Sequence, residues 1–314
     1  MTIPIRLACG AYDRTRALID GSVRPEGVRL ELVVMDDAFA RHDRMIREEA
    51  FDVCELSMSS YLMARERGRG FIAIPVFPYR MFRHGYVLIN RRSGVSRPQD
   101  LVGKRMGVPM YQMTAAVWVR GHLQHEYGVA PQQMRWVTDR DELVGFRRAN
   151  DLQIEVAPPG SSLEAMLVAG DLDALIMVEE VPEALLQQPD VGRLFPNYAQ
   201  VERELYQRTG IYPIMHALVA RCAVLDAHPW LATSLMRAFQ EAKERALDEL
   251  RYPRTSTLVW AGAYREQERA VFGWDPHPYG LEPNRPTLEA LATYSFEQGL
   301  TTRRHAVDEL FVQA

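Results

Sequence analysis

The chain has 314 residues, of which 47% are hydrophobic and 25% are charged, as is ordinary for a globular protein. It carries 37 basic and 41 acidic residues, for a formal net charge of −4. Proteins that bind nucleic acids or anionic membranes normally carry a basic excess. The charge therefore argues against both classes of partner, and the length suits two domains better than one core.

The amino-terminal stretch MTIPIRLACGAYDR lacks a charged n-region, and its apolar run is too short for a secretory signal. No stretch approaches the roughly 18 apolar residues that a membrane-spanning helix needs. Cys9, Cys54 and Cys222 form neither a CxxC motif nor an even-numbered disulfide framework. These features predict a reduced, cytoplasmic protein.

The first third of the chain alternates apolar runs with amphipathic ones. The apolar runs predict strands at 5–10, 28–35 and 51–56, and the helical period predicts helices at 38–50 and 57–68. The second helix is entered through serines and closed by Gly68. Repeated strand–helix–strand units indicate a mostly parallel sheet covered by helices.

A second strand–helix series follows the polar loop SGVSRPQDLVGK. It predicts a strand at 104–110, a helix at 112–128 and a strand at 134–137. Residues 139–162 are charged and contain Pro and Gly, which favours a variable surface segment. Residues 162–180 then predict a helix, a turn at Gly170 and a buried strand.

The remaining elements indicate that the chain returns to its first domain. A helix at 198–210, a strand at 214–220 and a long amphipathic helix at 228–250 are predicted, followed by helical segments with proline-rich breaks. The runs GYVLIN and IMHALVA are interpreted as the two strands that cross between domains.

These elements predict an α/β protein with two lobes, one inserted into the other. Lobe one is expected to comprise 1–91 and 219–314, and lobe two 92–218. Ligands of open α/β sheets bind beyond the carboxyl ends of the strands, so a cleft between the lobes is the expected binding site.

Several stretches carry a resemblance to known proteins. SRPQDLVGKRMGVP, SLEAMLVAGDLDALI and HPWLATSLMRAFQEAKE resemble the type II periplasmic-binding-protein fold. ACGAYDRTRALIDGSVRPEGVRLEL, FDVCELSMSSY, IAIPVFPYRMFRHG, QRTGIYPIMHALV and PYGLEPNRPTLEALATYSFEQGLTTRRHAVDELF resemble the 4,5-dihydroxyphthalate decarboxylase family. The chain departs from the family pattern at Glu179-Glu180, where small residues with an arginine would be expected.

The resemblance implies a cytoplasmic enzyme that converts 4,5-dihydroxyphthalate to protocatechuate and CO2 without an organic cofactor. A carboxylate leaves an electron-rich hydroxyarene when the ring carbon that bears it is protonated. This chemistry needs an acid near that carbon, an acceptor near a phenol and cations for a retained carboxylate.

The stretch FPYRMFRHGY supplies both cations and an acid between two apolar runs. Arg80 and Arg83 are candidate substrate contacts, because a guanidinium matches a carboxylate in bidentate geometry. Capping of strand ends and pairing with surface acids is the alternative. Three residues apart in an extended segment, the two arginines face opposite sides, so only one is expected to touch substrate.

Other candidate contacts follow predicted strands at helix starts, where backbone N–H groups favour anions. Arg14 follows the first strand, and Ser57 and Ser59 follow the strand FDVCEL. In lobe two, three residues hold the matching place, namely Tyr111, Gln112 and Thr114. Ordinary helix capping is the alternative at each of these positions.

His84 and His216 are the candidate acid and base, because histidine titrates near physiological pH, and which of them protonates carbon is left open. Glu179 is a third catalytic candidate if an apolar cleft raises the pKa of its carboxyl, and a solvated loop edge is the alternative. His122 and His125 lack an evident third ligand, so no metal site is predicted, although a divalent ion bound with a catechol is left open.

The sequence thus predicts a carboxy-lyase that acts on a small aromatic carboxylate, with no cofactor and no nucleic-acid or membrane partner. A homodimer is left open. Two alternatives are a cytoplasmic solute-binding or sensor protein for an aromatic carboxylate and a decarboxylase of a related hydroxybenzoate.

Overall fold

The computed structural model describes residues 2–252, 254 and 256–313, and in it strands and helices alternate along most of the chain. The strands are β1 Ile3–Cys9, β2 Val28–Val34, β3 Val53–Ser57, β4 Phe71–Arg80, β5 Val87–Asn90, β6 Arg105–Gly107, β7 Arg135–Thr138, β8 Gln153–Val156, β9 Ala174–Ile176, β10 Val191–Arg193 and β11 Ile214–Arg221. The helices are α1 Asp13–Ile19, α2 Ala38–Glu48, α3 Met58–Glu66, α4 Thr114–Tyr127, α5 Leu163–Ala169, α6 Glu183–Leu186, α7 Tyr198–Thr209, α8 Cys222–Ala227, α9 Leu231–Glu249, α10 Ala261–Phe272 and α11 Arg285–Glu297.

The chain divides into two units. Unit 1 comprises Met1–Arg80, Ile214–Leu288 and His305–Ala314, and unit 2 comprises Met81–Pro213 and Glu289–Arg304. The boundaries expected from sequence, 91/92 and 218/219, lie a few residues further along the chain. The carboxyl-terminal stretch 289–304, expected in lobe one, falls in unit 2.

Unit 1 is built on a sheet with the strand order β2-β1-β3-β11-β4. β1 runs parallel to β2 and β3, whereas β11 runs antiparallel to both β3 and β4. In this register His216 lies opposite Ser57 on one side and Tyr79 on the other. Since directly opposed residues share a face, these three side chains project on the same face of the sheet.

Burial explains why the central strands of unit 1 form. Every residue of β3 is buried, which is expected of a central strand covered on both faces. Its neighbours contribute Leu7 and Leu218 to a core that α9 closes with Leu235 and Phe239. At roughly 25 cal/mol per Å² of apolar surface, each such side chain stabilises the fold by about 1.5–3 kcal/mol.

Unit 2 has a mixed sheet with the strand order β10-β5-β9-β6-β7-β8. β6 runs parallel to β7 and β9, and β5 runs antiparallel to β9 and β10. Its core contains Leu88, Val137, Leu167 and Leu175.

No helix in the described part of the chain combines the length and the apolar character that crossing a membrane requires.

Part of 139–162 was expected to be a variable surface segment, and 139–150 forms no helix or strand, whereas β8 lies further along and pairs in parallel with β7. The interpretation of two strands as crossing strands is wrong. β5 and β11, interpreted as crossing strands, each pair within the sheet of one unit, β5 in unit 2 and β11 in unit 1. The chain instead passes between the units at Arg80/Met81 and Pro213/Ile214, at the ends of β4 and β11 that lie side by side.

Gly121 allows α4 to pack closely against Tyr294 within unit 2. A Cβ built at Gly121 would lie 2.0 Å from Cδ2 of the Tyr294 ring. Alanine in a helix interior normally stabilises by about 1 kcal/mol relative to glycine. Overpacking a buried contact costs about 1–3 kcal/mol.

We therefore expect Gly121→Ala to lower the free energy of unfolding by about 1–2 kcal/mol, measured by urea unfolding with circular dichroism. Gly145→Ala is the control, because a Cβ at that position would meet no atom within 4 Å. A G121A protein as stable as the wild type would show that the Tyr294 ring moves away at little cost.

Candidate functional site

A buried carboxylate, that of Glu55 on β3, is the centre of the candidate site in unit 1. Its side chain is completely inaccessible to solvent. Oε1 accepts a hydrogen bond from the Tyr12 hydroxyl at 2.7 Å and lies 2.6 Å from Nδ1 of His216 and 3.1 Å from Nη2 of Arg41. Oε2 accepts the backbone N–H of Gly10 at 2.8 Å. Both carboxylate oxygens are therefore satisfied.

Glu55 is held in its ionised form. Burial alone would raise the pKa of its carboxyl, but the Arg41 charge and the hydrogen bonds from His216 and Gly10 outweigh burial and lower that pKa. Burial alone would lower the pKa of Arg41, but the attraction of Glu55, together with smaller contributions from Tyr12, Cys54 and Cys9, outweighs burial and raises that pKa. The pKa of the Tyr12 hydroxyl is raised by burial and by Glu55, so this hydroxyl stays a donor.

The ionised carboxylate determines the tautomer of His216. A carboxylate can only accept hydrogen bonds, so Nδ1 of His216 must carry a proton. With Nδ1 bound to Glu55, Nε2 is the ring nitrogen at which the neutral and the protonated imidazole differ, and the adjacent carboxylate favours the protonated form. The His216 side chain is 10% exposed, whereas that of Glu55 is fully buried. The pair has the geometry of a carboxylate–histidine acid/base dyad.

Aromatic rings fix the plane of the His216 imidazole. His42, on α2, meets it edge-on with ring centroids 4.7 Å apart, and Tyr79 packs against it at 5.0 Å. Burial, His216 and Arg41 lower the pKa of His42 well below its ordinary value of 6.5, so His42 is neutral. No residue in the described part of the chain forms a hydrogen bond with Nε2 of His42.

Arg14 extends this site from the start of α1. Its guanidinium lies 4.4 Å from the centre of the Tyr12 ring, which in turn stacks on Tyr79. Its Nε donates to the carbonyl of Pro78 at 2.5 Å, and its Nη1 lies 3.1 Å from Asp13 Oδ1. The predicted contact Arg14 thus lies one ring away from the carboxylate–histidine dyad.

Arg14 also lines a cavity of about 230 Å³ in unit 1. Lys243 and His277 line the same cavity. The Lys243 ammonium is buried and paired with Asp275 at 2.5 Å. Burial together with the charges of three nearby cations lowers the pKa of His277 to about 3. The cavity therefore combines a neutral imidazole with an excess of cations, which suits an anionic ligand.

The other candidates from unit 1 are buried. Arg80 donates from Nη1 to Oδ1 of Asn284 at 2.6 Å. Ser57 and Ser59 lie buried at the start of α3, where Ser57 is the N-cap residue but makes no side-chain capping hydrogen bond. Of these residues, Ser57 is closest to the dyad in the sheet, since it lies directly opposite His216.

Arg83 and His84 belong to unit 2, so the structure does not unite the two predicted acid/base histidines in one unit. Arg83 donates to the carbonyl of Val178 at 3.0 Å, so it acts on the main chain of unit 2. The His84 ring stacks on His122 at 5.0 Å, and its Nδ1 lies 3.5 Å from Glu202. His84 therefore has a looser carboxylate contact than His216.

Three predicted contacts lie together at the amino end of α4. The backbone N–H groups of Tyr111 and Gln112 donate to the two carboxylate oxygens of Glu142, at 2.7 and 3.0 Å. Thr114 begins the helix and is buried. The backbone N–H groups at which a substrate carboxylate was expected thus bind the carboxylate of Glu142, a residue of the chain itself.

Glu179 does not have the environment that its predicted role requires. β9 ends at Ile176, and both Glu179 and Glu180 are exposed. An exposed carboxyl lacks the desolvation that would make it an acid near neutral pH. The alternative of a solvated loop edge describes this position.

Among residues 2–252, 254 and 256–313, no group of three or more His, Cys, Asp or Glu could hold a metal ion.

Sequence reasoning missed most of the residues around His216. Glu55 is an acidic residue inside the apolar run FDVCEL, which signals a buried, partnered charge. Arg41 and His42 lie one turn before Met45 and Ile46 on the buried face of α2. Polar residues on the apolar face of a predicted helix are the second signal of a buried, partnered group. Tyr12 carries no such signal.

Comparison with known proteins identifies two relatives, one aligned over almost the whole chain and one over about half of it. The chain is 34% identical to 4,5-dihydroxyphthalate decarboxylase from Comamonas testosteroni, over 98% of this chain and 96% of that protein. It is 39% identical to 4,5-dihydroxyphthalate decarboxylase from Pseudomonas putida, over 55% of this chain and 69% of that protein. No family model matches.

Solved structures share the fold at low identity. The periplasmic aliphatic sulphonate binding protein SsuA from Escherichia coli aligns with a TM-score of 0.60 and 13% identity, over 100% of this chain and 98% of that protein. The alkanesulfonate-binding protein SsuA from Xanthomonas axonopodis aligns with a TM-score of 0.56 and 13% identity, covering 99% and 98%. The expected periplasmic-binding-protein-like α/β fold is confirmed.

The neutral, buried His122 makes stability depend on pH. Burial and the neighbours His84 and His125 lower its pKa well below 6.5. The unfolded chain takes up a proton near pH 6.5 and the folded chain does not. This contribution to stability is therefore complete above that pH and is lost as the pH falls below it.

We expect His122→Gln to reduce the fall in unfolding free energy between pH 7.5 and 5.5 by about 1.4 kcal/mol relative to the wild type. Urea unfolding of both proteins at a series of pH values measures this difference in pH dependence. The variant's stability at pH 7.5 separates the cost of the substitution itself from its pH dependence. Parallel curves for the two proteins would show that His122 takes up its proton in the folded protein as readily as in the unfolded chain.

Proposed function

Because the chain belongs to the 4,5-dihydroxyphthalate decarboxylase family, we propose that it converts 4,5-dihydroxyphthalate to protocatechuate and CO2. The observation that carries the chemistry is the 2.6 Å contact between Glu55 and Nδ1 of His216. A buried, ionised carboxylate that pairs with a histidine whose side chain is 10% exposed is the arrangement a general acid needs.

The reaction consumes one proton. The proton joins the ring carbon that bears the departing carboxylate, and the hydroxyl groups supply the electron density that accepts it. The bond between this carbon and the carboxylate then breaks, its electron pair returns to the ring as aromaticity is restored, and CO2 leaves. The ring itself is the electron sink, so the step calls for no organic cofactor.

His216 is the proposed proton donor. In its protonated form it delivers the Nε2 proton to carbon while Nδ1 stays bound to Glu55. Glu55 stabilises the imidazolium before transfer, and Arg41 keeps Glu55 ionised by its charge. His84 is the alternative donor, but its nearest carboxylate, Glu202, is 3.5 Å away.

Cationic and polar groups are proposed to hold the substrate. Arg14, whose guanidinium lines the cavity of unit 1, is the proposed partner of the retained carboxylate. Ser57, opposite His216, is a proposed contact to a ring substituent. Arg80 and Ser59, both buried, are proposed to support these contacts.

In unit 2, the proposed carboxylate contacts are Tyr111, Gln112 and Thr114 at the start of α4, and Arg83 is proposed to support them. Glu179 is given no part in proton transfer, because it is exposed. We place the reaction in the cytoplasm, in keeping with the three free cysteines Cys9, Cys54 and Cys222.

Anaerobic incubation of chelator-treated protein with 4,5-dihydroxyphthalate in D2O tests the function. We expect protocatechuate to form at enzyme-like rates and to carry one deuterium at the vacated ring carbon. Chromatography measures the rate of product formation, and mass spectrometry measures the deuterium content. Activity that returns only with a divalent ion would add a metal to the mechanism. Tight binding without product would contradict the decarboxylase and favour the sensor alternative.

His216→Gln separates the two candidate donors. Since a general acid contributes about 10²- to 10⁴-fold, we expect kcat to fall at least about 100-fold, with thermal stability close to that of the wild type. His84→Gln is the matched control and should retain activity within about tenfold. Near-normal turnover by H216Q together with a large loss in H84Q would reassign the proton to His84.

A further inference from the structure

The segment 139–150, here called the strap, lies against the amino end of α4 without forming a helix or strand. The backbone N–H of Val144 donates to Oε1 of Gln112 at 2.8 Å, and the Phe146 ring stacks on Tyr111 with centroids 5.5 Å apart. Glu142 adds the two carboxylate hydrogen bonds described above. The backbone N–H of Arg140 also donates to the carbonyl of Pro109 at 3.0 Å, so the strap is held through contacts of Arg140, Glu142, Val144 and Phe146.

The groups that hold Glu142 have the geometry of a carboxylate receptor. Two consecutive backbone N–H groups, those of Tyr111 and Gln112, each bind one oxygen of the same carboxylate. They precede a helix of 14 residues, whose amino end favours negative charge. Nothing in this geometry is specific to a glutamate, because any carboxylate offers the same two oxygens.

Arg120 places a buried positive charge beside this receptor. It is fully buried, and its guanidinium lies 3.7 Å from the centre of the Tyr111 ring. Its Nη2 donates to the carbonyl of Tyr111 and its Nε to Gln298, both neutral acceptors. Among the residues described, no hydrogen-bond partner exists for Nη1 of Arg120 or for the Tyr111 hydroxyl. The receptor thus has donors that Glu142 does not use.

Glu142 is an imperfect occupant of this receptor. Its burial raises the pKa of its carboxyl, and the hydrogen bonds from Gln112 and Tyr111 offset that effect only in part. Much of the strap is also exposed, including Asp141, Gly145 and the segment 147–150. Few packing contacts therefore oppose its movement.

We propose that Glu142 is an internal substitute for a ligand carboxylate and that an aromatic carboxylate takes its place when the strap lifts. This inference rests on the proposed function, which assigns Tyr111, Gln112 and Thr114 to a substrate carboxylate. The inference adds that the ligand carboxylate and the Glu142 carboxylate compete for the same two backbone N–H groups. The apparent affinity for the ligand is reduced by the fraction of molecules in which Glu142 occupies the receptor.

Calorimetric titration with phthalate tests the inference, because this dicarboxylate lacks the hydroxyl groups that make the ring electron-rich. The proteins are the wild type, Glu142→Gln, and Asp141→Asn as the matched control. Asp141 lies on the same strap and is exposed, so both variants lose one carboxylate. We expect E142Q to bind phthalate about tenfold more tightly than the wild type and D141N to bind within about twofold.

Equal or weaker binding by E142Q overturns the inference, as does the absence of binding by all three proteins. Hydrogen exchange on the wild type provides a measurement that does not depend on how the variant folds. With saturating phthalate, uptake should rise in 139–150 while the Tyr111 and Gln112 amides stay protected. Unchanged or lower uptake in the strap also overturns it. If E142Q binds phthalate more tightly but the wild type does not decarboxylate 4,5-dihydroxyphthalate, the proposed function is contradicted and this inference is still supported.

Discussion

The ion pair between Glu55 and Arg41 is the interaction on which the candidate site depends. Both side chains are buried, and a lone buried charge would cost several kcal/mol. The pair is tolerated because every oxygen of Glu55 has a partner, from His216, Tyr12 and the backbone of Gly10. Together with Arg41, these partners come from three separate stretches of chain. The register between β3 and β11 is therefore linked to the charge state of the site.

The two units manage buried charge in opposite ways. In unit 1 the anion of Glu55 is compensated by Arg41 at 3.1 Å, which favours a permanent arrangement that prepares His216 for proton transfer. Among the described residues of unit 2, the buried cation of Arg120 donates hydrogen bonds to neutral acceptors only. The carboxylate of Glu142, on the strap, acts on Arg120 through its charge without a hydrogen bond. A permanent pair suits catalysis, whereas an incompletely compensated cation suits an exchangeable ligand.

Local pattern predicted most of the strands and helices, because apolar periodicity and helix caps depend on consecutive residues, but it did not predict the short elements β8, α6 and β10. It also singled out His216 and Arg14. It could not supply the partner of His216, since Glu55 lies 161 residues away and the contact depends on strand pairing. Nor could it place Glu142 at α4, because a charged stretch with Pro and Gly looks the same whether it is free or docked. Exposure of Glu179 is likewise a tertiary property.

Nitrogen-15 NMR of the His216 imidazole tests the central claim most directly. The proposed dyad requires a proton on Nδ1 throughout the range in which Glu55 is ionised. We expect a protonated Nδ1 shift at every pH from 5 to 8, with only Nε2 titrating, and loss of this pattern in Glu55→Gln. An unprotonated Nδ1 at neutral pH would contradict the dyad and with it the assignment of His216 as the acid.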